Sequence, residues 1–273
     1  MENPLVSIVI PTCGRASLLK ETLDTIITQT YKSIEILVVL DGPDQETTEL
    51  LDQLSENRLR HYTLPKSGLP SVNRNFGMQK AKGKYIAFCD DDDLWERDKL
   101  KKQVSLLEHQ KKDALTFSSY SLVQQKAALH YSPIPFSRLA RKSLLKTCYY
   151  LPSLTSYILP FINIIPNSSV LFHRSIIRKT GFINTDIHYR GVEDFDFYIR
   201  VGIQHRLLFT PEPLIKYRLH EANISSSKGK AEMNNKALNV LKNLKTSHKR
   251  IWPALFVRRC LKSLEAALSG LKA

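Results

Sequence analysis

Four consecutive carboxylates, Asp90, Asp91, Asp92 and Asp93, follow directly on the apolar run Tyr85-Ile86-Ala87-Phe88-Cys89. Adjacent negative charges at the end of a buried strand repel one another, so something must neutralise them. A hard divalent cation, Mg²⁺ or Mn²⁺, prefers carboxylate oxygens and keeps coordination places for phosphate oxygens. A strand that carries carboxylates to its C-terminal end also puts them where open α/β sheets bind ligands. The competing explanation is a solvated acidic loop that caps the next helix. The buried character of the preceding run favours metal and phosphate chemistry.

The elements that must position this run alternate in type. Leu5 to Ile10 is an apolar, β-branched strand closed by Pro11, and Ala16 to Gln29 repeats apolar residues with a helical period. Ile34 to Leu40 is a second strand, ended by the turn Asp41-Gly42-Pro43. Helix is expected over Thr47 to Leu54, strand over Leu59 to Leu64, helix over Val72 to Lys80 and strand over Tyr85 to Cys89. After Trp95 a charged helix is expected to run to about Lys112, and strand character returns at Asn167 to Phe172. Ile183 to Arg200 reads as a loop entering a helix. Such alternation predicts right-handed βαβ units and a mostly parallel sheet.

Composition sets the outer bounds. The chain has 273 residues, enough for one large domain with an appendage, and 42% of them are hydrophobic. Its formal charge of +14 suits an acidic partner such as a nucleotide, a nucleic acid or an anionic membrane. Residues 228–273 hold eleven Lys or Arg against two Glu, so most of that excess lies in the tail. Four cysteines with no CxxC spacing exclude a zinc module and predict reduced thiols in a cytoplasmic setting. The N-terminus is expected to carry no signal peptide. Thr147 to Phe172 has no charged residue, but Pro152, Pro160 and Pro166 interrupt it, which favours a buried or interface-facing segment over a membrane span.

Several ordered motifs together resemble a family-2 glycosyltransferase of the GT-A fold. Val6-Ser7-Ile8-Val9-Ile10-Pro11-Thr12 with Arg15 is similar to the family's opening strand and nucleotide loop. Val38-Val39-Leu40-Asp41-Gly42 is similar to its second strand, and Arg74-Asn75 with Gly77 to its nucleotide-facing helix. Phe88 to Trp95 resembles the acidic metal signature. Gly191-Val192-Glu193-Asp194-Phe195-Asp196-Phe197 with Arg200 resembles the acceptor-side motif, and Tyr217-Arg218-Leu219-His220 with Asn223-Ile224-Ser225 the closing segment. The resemblance covers roughly residues 6–225.

That resemblance implies an inverting, metal-dependent transfer from a nucleotide-diphosphate sugar, expected to be a UDP-sugar. Pro11, Thr12, Arg15, Asp41, Arg74, Asp90 and Asp91 are then the donor-binding set, and Asp92, Asp90 and His220 the Mn²⁺ or Mg²⁺ ligands. Asp91 and Asp93 are alternatively expected to orient ligands or to cap a helix beginning near Leu94. Asp194 matches the family's general base, with Glu193 as the alternative or as an acceptor-orienting group. Asp41 either accepts from the imide N–H of uracil or forms the turn before Gly42. Asp196 is expected to face a helix neighbour, Arg200 to form a salt bridge, and Trp95 to lie in the core or near the sugar. The sequence departs from the family at Leu40, where many relatives carry an acid, and at Asp91, where a small residue is usual.

The predicted organisation is a GT-A domain over residues 1–227, with a nucleotide-sugar half (1–112) and an acceptor half (113–227), followed by a basic amphipathic helical tail (228–273). Basic and aromatic residues between Ala114 and Pro166 suit a saccharide or lipid-linked acceptor in cell-surface polysaccharide or lipopolysaccharide synthesis; equally, the stretch only packs on the sheet. The tail, with Val257, Cys260, Leu261, Leu264, Leu268 and Leu271 on one face, suits peripheral contact with the inner face of the cytoplasmic membrane. Docking on the catalytic domain or on a second subunit is the alternative. Other classes fit less well. A sugar nucleotidyltransferase would carry more glycines in the loop Pro11 to Ser17, and no nucleic-acid motif accompanies the positive charge, so no nucleic-acid partner is expected. A non-catalytic relative is opposed by the joint presence of Asp41, Asp90, Asp92 and Asp194.

Overall fold

The structure, a computed structural model, describes residues 3–124, 149, 152–160, 163–219 and 230–245. The first half alternates β1 (Val6–Thr12), α1 (Ala16–Ile27), β2 (Ile34–Asp41), α2 (Gln45–Gln53), β3 (Leu59–Leu64), α3 (Pro70–Lys80) and β4 (Tyr85–Phe88). The second half contains β5 (Leu94–Trp95), α4 (Lys99–Glu108), β6 (Ala114–Gln124), α5 (Pro152–Ile158), β7 (Leu171–His173), α6 (Ile176–Thr180), α7 (Glu193–Gln204), β8 (Arg206–Leu219) and α8 (Lys230–Lys245). Eight strands form one sheet in the order β3-β2-β1-β4-β7-β6-β8-β5. β3, β2, β1 and β4 run parallel, as the alternation predicts; β7 is antiparallel to both β4 and β6, and β5 to β8.

Both faces of the sheet are covered, which explains the unbroken apolar runs of β1 and β2. Ile8, Ile10, Ile36, Val38 and Leu40 pack with Leu19, Leu23 and Leu100 on one face. Val9, Leu37, Phe88, Phe117 and Phe172 pack with Phe195, Phe197 and Ile199 of α7 on the other. α3 starts on Pro70 at its first turn, where the missing N–H costs nothing. Asp44 caps α2 by accepting from the Thr47 N–H at 3.2 Å and also receives the Gly14 N–H at 3.1 Å, which fixes the loop after β1.

Three expectations change. The acidic run does not cap a helix at Leu94: Leu94 and Trp95 form β5, and the helix begins at Lys99. Asn167 to Ser169 is a 3-10 turn, so the strand expected from Asn167 starts at Leu171. α4 ends at Glu108, short of Lys112. In each case tertiary bonding, which periodicity does not encode, decides the boundary.

Of the region expected to form a basic tail, α8 is described and docks on the domain. It buries Ala237, Leu238, Val240 and Leu241 in the core that includes α7. Lys236 donates to the Arg190 carbonyl at 3.1 Å and Asn243 to the Tyr189 hydroxyl at 2.8 Å. The apolar face from Val257 to Leu271 lies outside the described residues. Among the described residues no helix is long and apolar enough to cross a membrane.

α3 lies so close to β1 that a Cβ on Gly77 would stand 2.3 Å from Val9 Cγ1. Gly77→Ala is therefore expected to cost about 1–3 kcal/mol through overpacking. Calorimetric unfolding should show Tm lowered by roughly 2–10 °C; an unchanged Tm would mean the α3–β1 contact is looser than described.

Candidate active site

The end of β4 brings the acidic run against residues from three distant segments. Arg15, the residue before α1, reaches Asp91 at 2.6 Å and Asp92 at 2.9 Å. Asp91 also accepts from the Thr12 hydroxyl at 2.7 Å, and its carbonyl accepts from Thr22. Asp93 accepts from the Ser168 hydroxyl at 2.5 Å and from the Arg218 N–H at 3.1 Å. The Arg218 guanidinium, in turn, donates to the Asp92 carbonyl at 2.9 Å and pairs with Glu21 at 2.7 Å. Burial works against the charge on Arg15, but Asp91, Asp92 and Asp90 outweigh it and raise its pKa. Burial pushes Asp91 up to about 6 in spite of Arg15. It drives Asp93 well above the ordinary range, helped by repulsion from Asp92 and Asp90.

A second junction joins this run to the acceptor-side motif. Arg74, on α3 and fully buried, pairs with Asp90 at 2.6 Å and faces Glu193 at 3.5 Å. Its Nε and Nη1 make no hydrogen bond among the described residues. Nearby, Asn75 clasps the backbone of Ile183 in both directions, at 2.8 and 3.0 Å, and ties α3 to the segment leading into α7. Gly191, at φ +87, makes the turn that lets Glu193 bond back to its N–H at 2.6 Å. Glu193 and Asp194 then occupy the first turn of α7. Burial, then repulsion from Glu193, push Asp194 up to about 7, against the pull of Arg74. Asp196 pairs with Arg200 at 2.7 Å one turn on, the structural role expected of both. Trp95 is buried, with Lys99 Nζ 3.9 Å above its ring.

Asp41, at the end of β2, holds the loop before α3. Its Oδ1 accepts from the Ser67 N–H (2.7 Å) and hydroxyl (2.8 Å), and its Oδ2 from the Gly68 N–H (2.8 Å). Burial would raise its pKa, but these bonds and Lys66 lower it. Lys66 Nζ lies 2.8 Å from Cys13 Sγ, joining this loop to the one after β1. Pro11 lies within β1, opposite Val39.

Thr12, Arg15, Asp91 and Asp92 thus form one cluster, Arg74, Asp90 and Glu193 a second beside Asp194, and Asp41 a third. His220 lies outside the described residues. Sequence reasoning assigned no task to Arg218 or Ser168, although Arg218 stood inside a quoted motif. Their signal, a long-range partner for Asp93, exists only in three dimensions. Within the chain, arginines, a hydroxyl and a backbone donor compensate part of the run's charge.

The donor chemistry still fits a hard cation. Asp91 and Asp93 are enclosed and consumed by protein donors, whereas the Asp90 side chain is 27% exposed and that of Asp92 10%. Two carboxylates shared with diphosphate oxygens and water form a usual Mg²⁺ or Mn²⁺ set. Among the described residues no three acidic, histidine or cysteine side chains converge on one point.

Residues 7–159 match the model of the family described as Glycosyl transferase family 2. The chain belongs to that family. An uncharacterized glycosyltransferase of Rickettsia prowazekii is 31% identical over 226 residues, which is 82% of this chain and 67% of the relative. Among solved structures, the mannosyltransferase PcManGT from Pyrobaculum calidifontis, in complex with GDP-Man and Mn²⁺, superposes with TM-score 0.66 at 17% identity. That match covers 98% of this chain and 76% of PcManGT. S. aureus TarS 1–349 in complex with UDP-GlcNAc superposes with TM-score 0.65 at 16% identity, over 87% of this chain and 66% of TarS. These likenesses show the GT-A fold, and the family makes this glycosyltransferase an enzyme.

The raised pKa of Asp194 has a consequence for stability with a definite sign. Between its ordinary value of 3.8 and about 7, the unfolded chain has lost a proton that the folded chain retains. Stability therefore falls as pH rises through that window and stays lowered above it. Asp194→Asn is expected to raise Tm at pH 8, with the gain shrinking as pH falls toward 4. Differential scanning calorimetry across that range checks this; a gain independent of pH would show an ordinary carboxyl.

Proposed function

We propose that this glycosyltransferase moves a sugar, with inversion at C1, from a nucleotide-diphosphate sugar to a hydroxyl of a saccharide or lipid-linked acceptor. The observation that carries this is the Arg74 junction. It sets the donor-side Asp90 and the acceptor-side Glu193 on one guanidinium, with Asp194 next in the chain. A donor on the first motif and an acceptor at the second would then meet across it.

In the reaction, the acceptor oxygen attacks C1 from the face opposite the diphosphate. The C1–O bond to the β-phosphate breaks, and the nucleoside diphosphate leaves. Asp194 takes the hydroxyl proton; a pKa pushed up to about 7 suits a base working near neutral pH. Its partial exposure leaves it reachable by the acceptor. Glu193 orients Asp194 and the acceptor. Asp90 and Asp92 would hold Mg²⁺ or Mn²⁺, which supplies Lewis-acid neutralisation of the leaving diphosphate. Arg15, whose side chain is one-third exposed, is the guanidinium available to phosphate oxygens, while Arg74 positions Asp90 and Glu193. Thr12, Pro11 and Asp91 shape the loop that receives the nucleotide.

A UDP-sugar is the proposed donor. Asp41 Oδ2 accepts one bond from Gly68 and has a second lone pair for the uracil imide N–H. The Mn²⁺ and nucleotide sugars carried by PcManGT and TarS support a donor and a metal of these classes here.

Calorimetric titration with UDP, GDP and CDP, each with Mn²⁺ and with EDTA, is the direct test. UDP is expected to bind in a metal-dependent way, and preference for GDP would reassign the base. Asp194→Asn is expected to keep that binding while transfer falls by about 10²–10⁴-fold. Transfer that persists would remove Asp194 as the base.

A further inference from the structure

Between the turn at residues 186–190 and helix α8 lies an open cleft of about 290 Å³. At about 30 Å³ per water it has the volume of roughly ten waters, room enough for a single sugar ring. Asp186, His188 and Tyr189 form one wall, and Lys236, Asn239 and Asn243, with the buried Val240 behind them, form the other. We propose that this cleft is an acceptor subsite that holds one neutral pyranose ring of a saccharide, next to the ring that receives the transferred sugar. The proposal deepens the transferase reading and rests on Asp194 as the acceptor-side base.

The walls are fixed before any ligand arrives. Asn243 donates to the Tyr189 hydroxyl at 2.8 Å, bridging the cleft at one end. Lys236 donates to the Arg190 carbonyl at 3.1 Å, and α8 is anchored through buried Leu238 and Leu241. The turn is closed by the His188 N–H bonding to Asp186 at 2.9 Å. A preformed site avoids ordering costs on binding.

The lining chemistry selects the ligand class. A sugar hydroxyl both donates and accepts, as do the Asn239 amide and the Tyr189 hydroxyl. Asp186 adds a carboxylate acceptor, while the half-buried Tyr189 ring offers apolar surface to the C–H face of a pyranose. A phosphate is disfavoured because the one lysine is already used: Lys236 pairs with Glu232 at 2.9 Å. Position agrees with this assignment. The Tyr189 carbonyl accepts from the Val192 N–H at 2.8 Å, and Val192 leads directly into Glu193 and Asp194. A ring held in the cleft is thereby tied to the start of the helix that carries the base.

The test uses the full chain and saturation-transfer NMR with methyl glycosides of glucose, galactose, mannose, N-acetylglucosamine and rhamnose. At least one is expected to receive saturation from the wild-type protein. Asn239→Trp, an exposed position whose new ring would fill the cleft, should cut that signal at least fivefold; His188→Ala provides a milder second variant. UDP and GDP affinities, titrated on the same samples, should change less than twofold. No saturation for any glycoside, or equal saturation in Asn239→Trp, overturns the subsite. Glycoside binding that is lost in the variant while no nucleotide binds either protein would keep the sugar site and sink the transferase reading.

Discussion

Four adjacent carboxylates at the end of a buried strand can be enclosed only if other parts of the chain neutralise them, and this fold is arranged around that requirement. Arg15 comes from the loop after β1, Arg74 from α3 and Arg218 from β8, so three segments distant in sequence converge on one tetrapeptide. Removing one member of a buried pair typically costs about 3–5 kcal/mol, because the other charge remains uncompensated. The acidic run therefore fixes the relative placement of the elements around it as firmly as the apolar core does. It also leaves Asp90, and to a smaller extent Asp92, as the carboxylates a ligand can reach.

The same economy joins the two halves of the site. Arg74 is too buried to serve as a solvated phosphate hook, and its charge is shared between Asp90 and Glu193. Asn75, one residue on, bonds both ways to Ile183 and holds the acceptor-side segment at a set distance from α3. One turn of helix thus aligns Asp90 with Glu193. Gly77, which lets α3 approach β1, belongs to the same device: without that close approach, Arg74 would not reach the end of β4.

Much of this was legible in the sequence. The apolar runs of β1, β2 and β4 and the helical spacing of α1 are local properties, and local periodicity reports them well. The acidic tetrad and the Glu193-Asp194 pair could be picked out because their charges are concentrated. What escaped was pairing. Nothing near Asp93 announces that Ser168 and Arg218 will satisfy it, and that pairing, with β5 meeting β8, replaces the helix cap that the local pattern suggested. Asp41 shows the same limit: its place before Gly42 was visible, but not its three bonds to Ser67 and Gly68. The antiparallel insertion of β7 between β4 and β6 likewise depends on partners far along the chain.

The acceptor side shows why a site need not favour stability. Asp194 would be easier to bury as an amide, since its carboxylate sits beside Glu193 with only Arg74 in opposition. A fold selected for stability alone would not keep two acids in one helical turn of a partly enclosed wall. Their placement at the N-terminus of α7 recovers some of the cost, because the helix dipole favours negative charge there. The remaining penalty raises the Asp194 pKa toward neutrality, which suits the general-base role proposed for it. Docking α8 against the same helix adds apolar burial at Leu238 and Leu241, so the segment that walls the cleft also helps hold the adjacent acid pair in place.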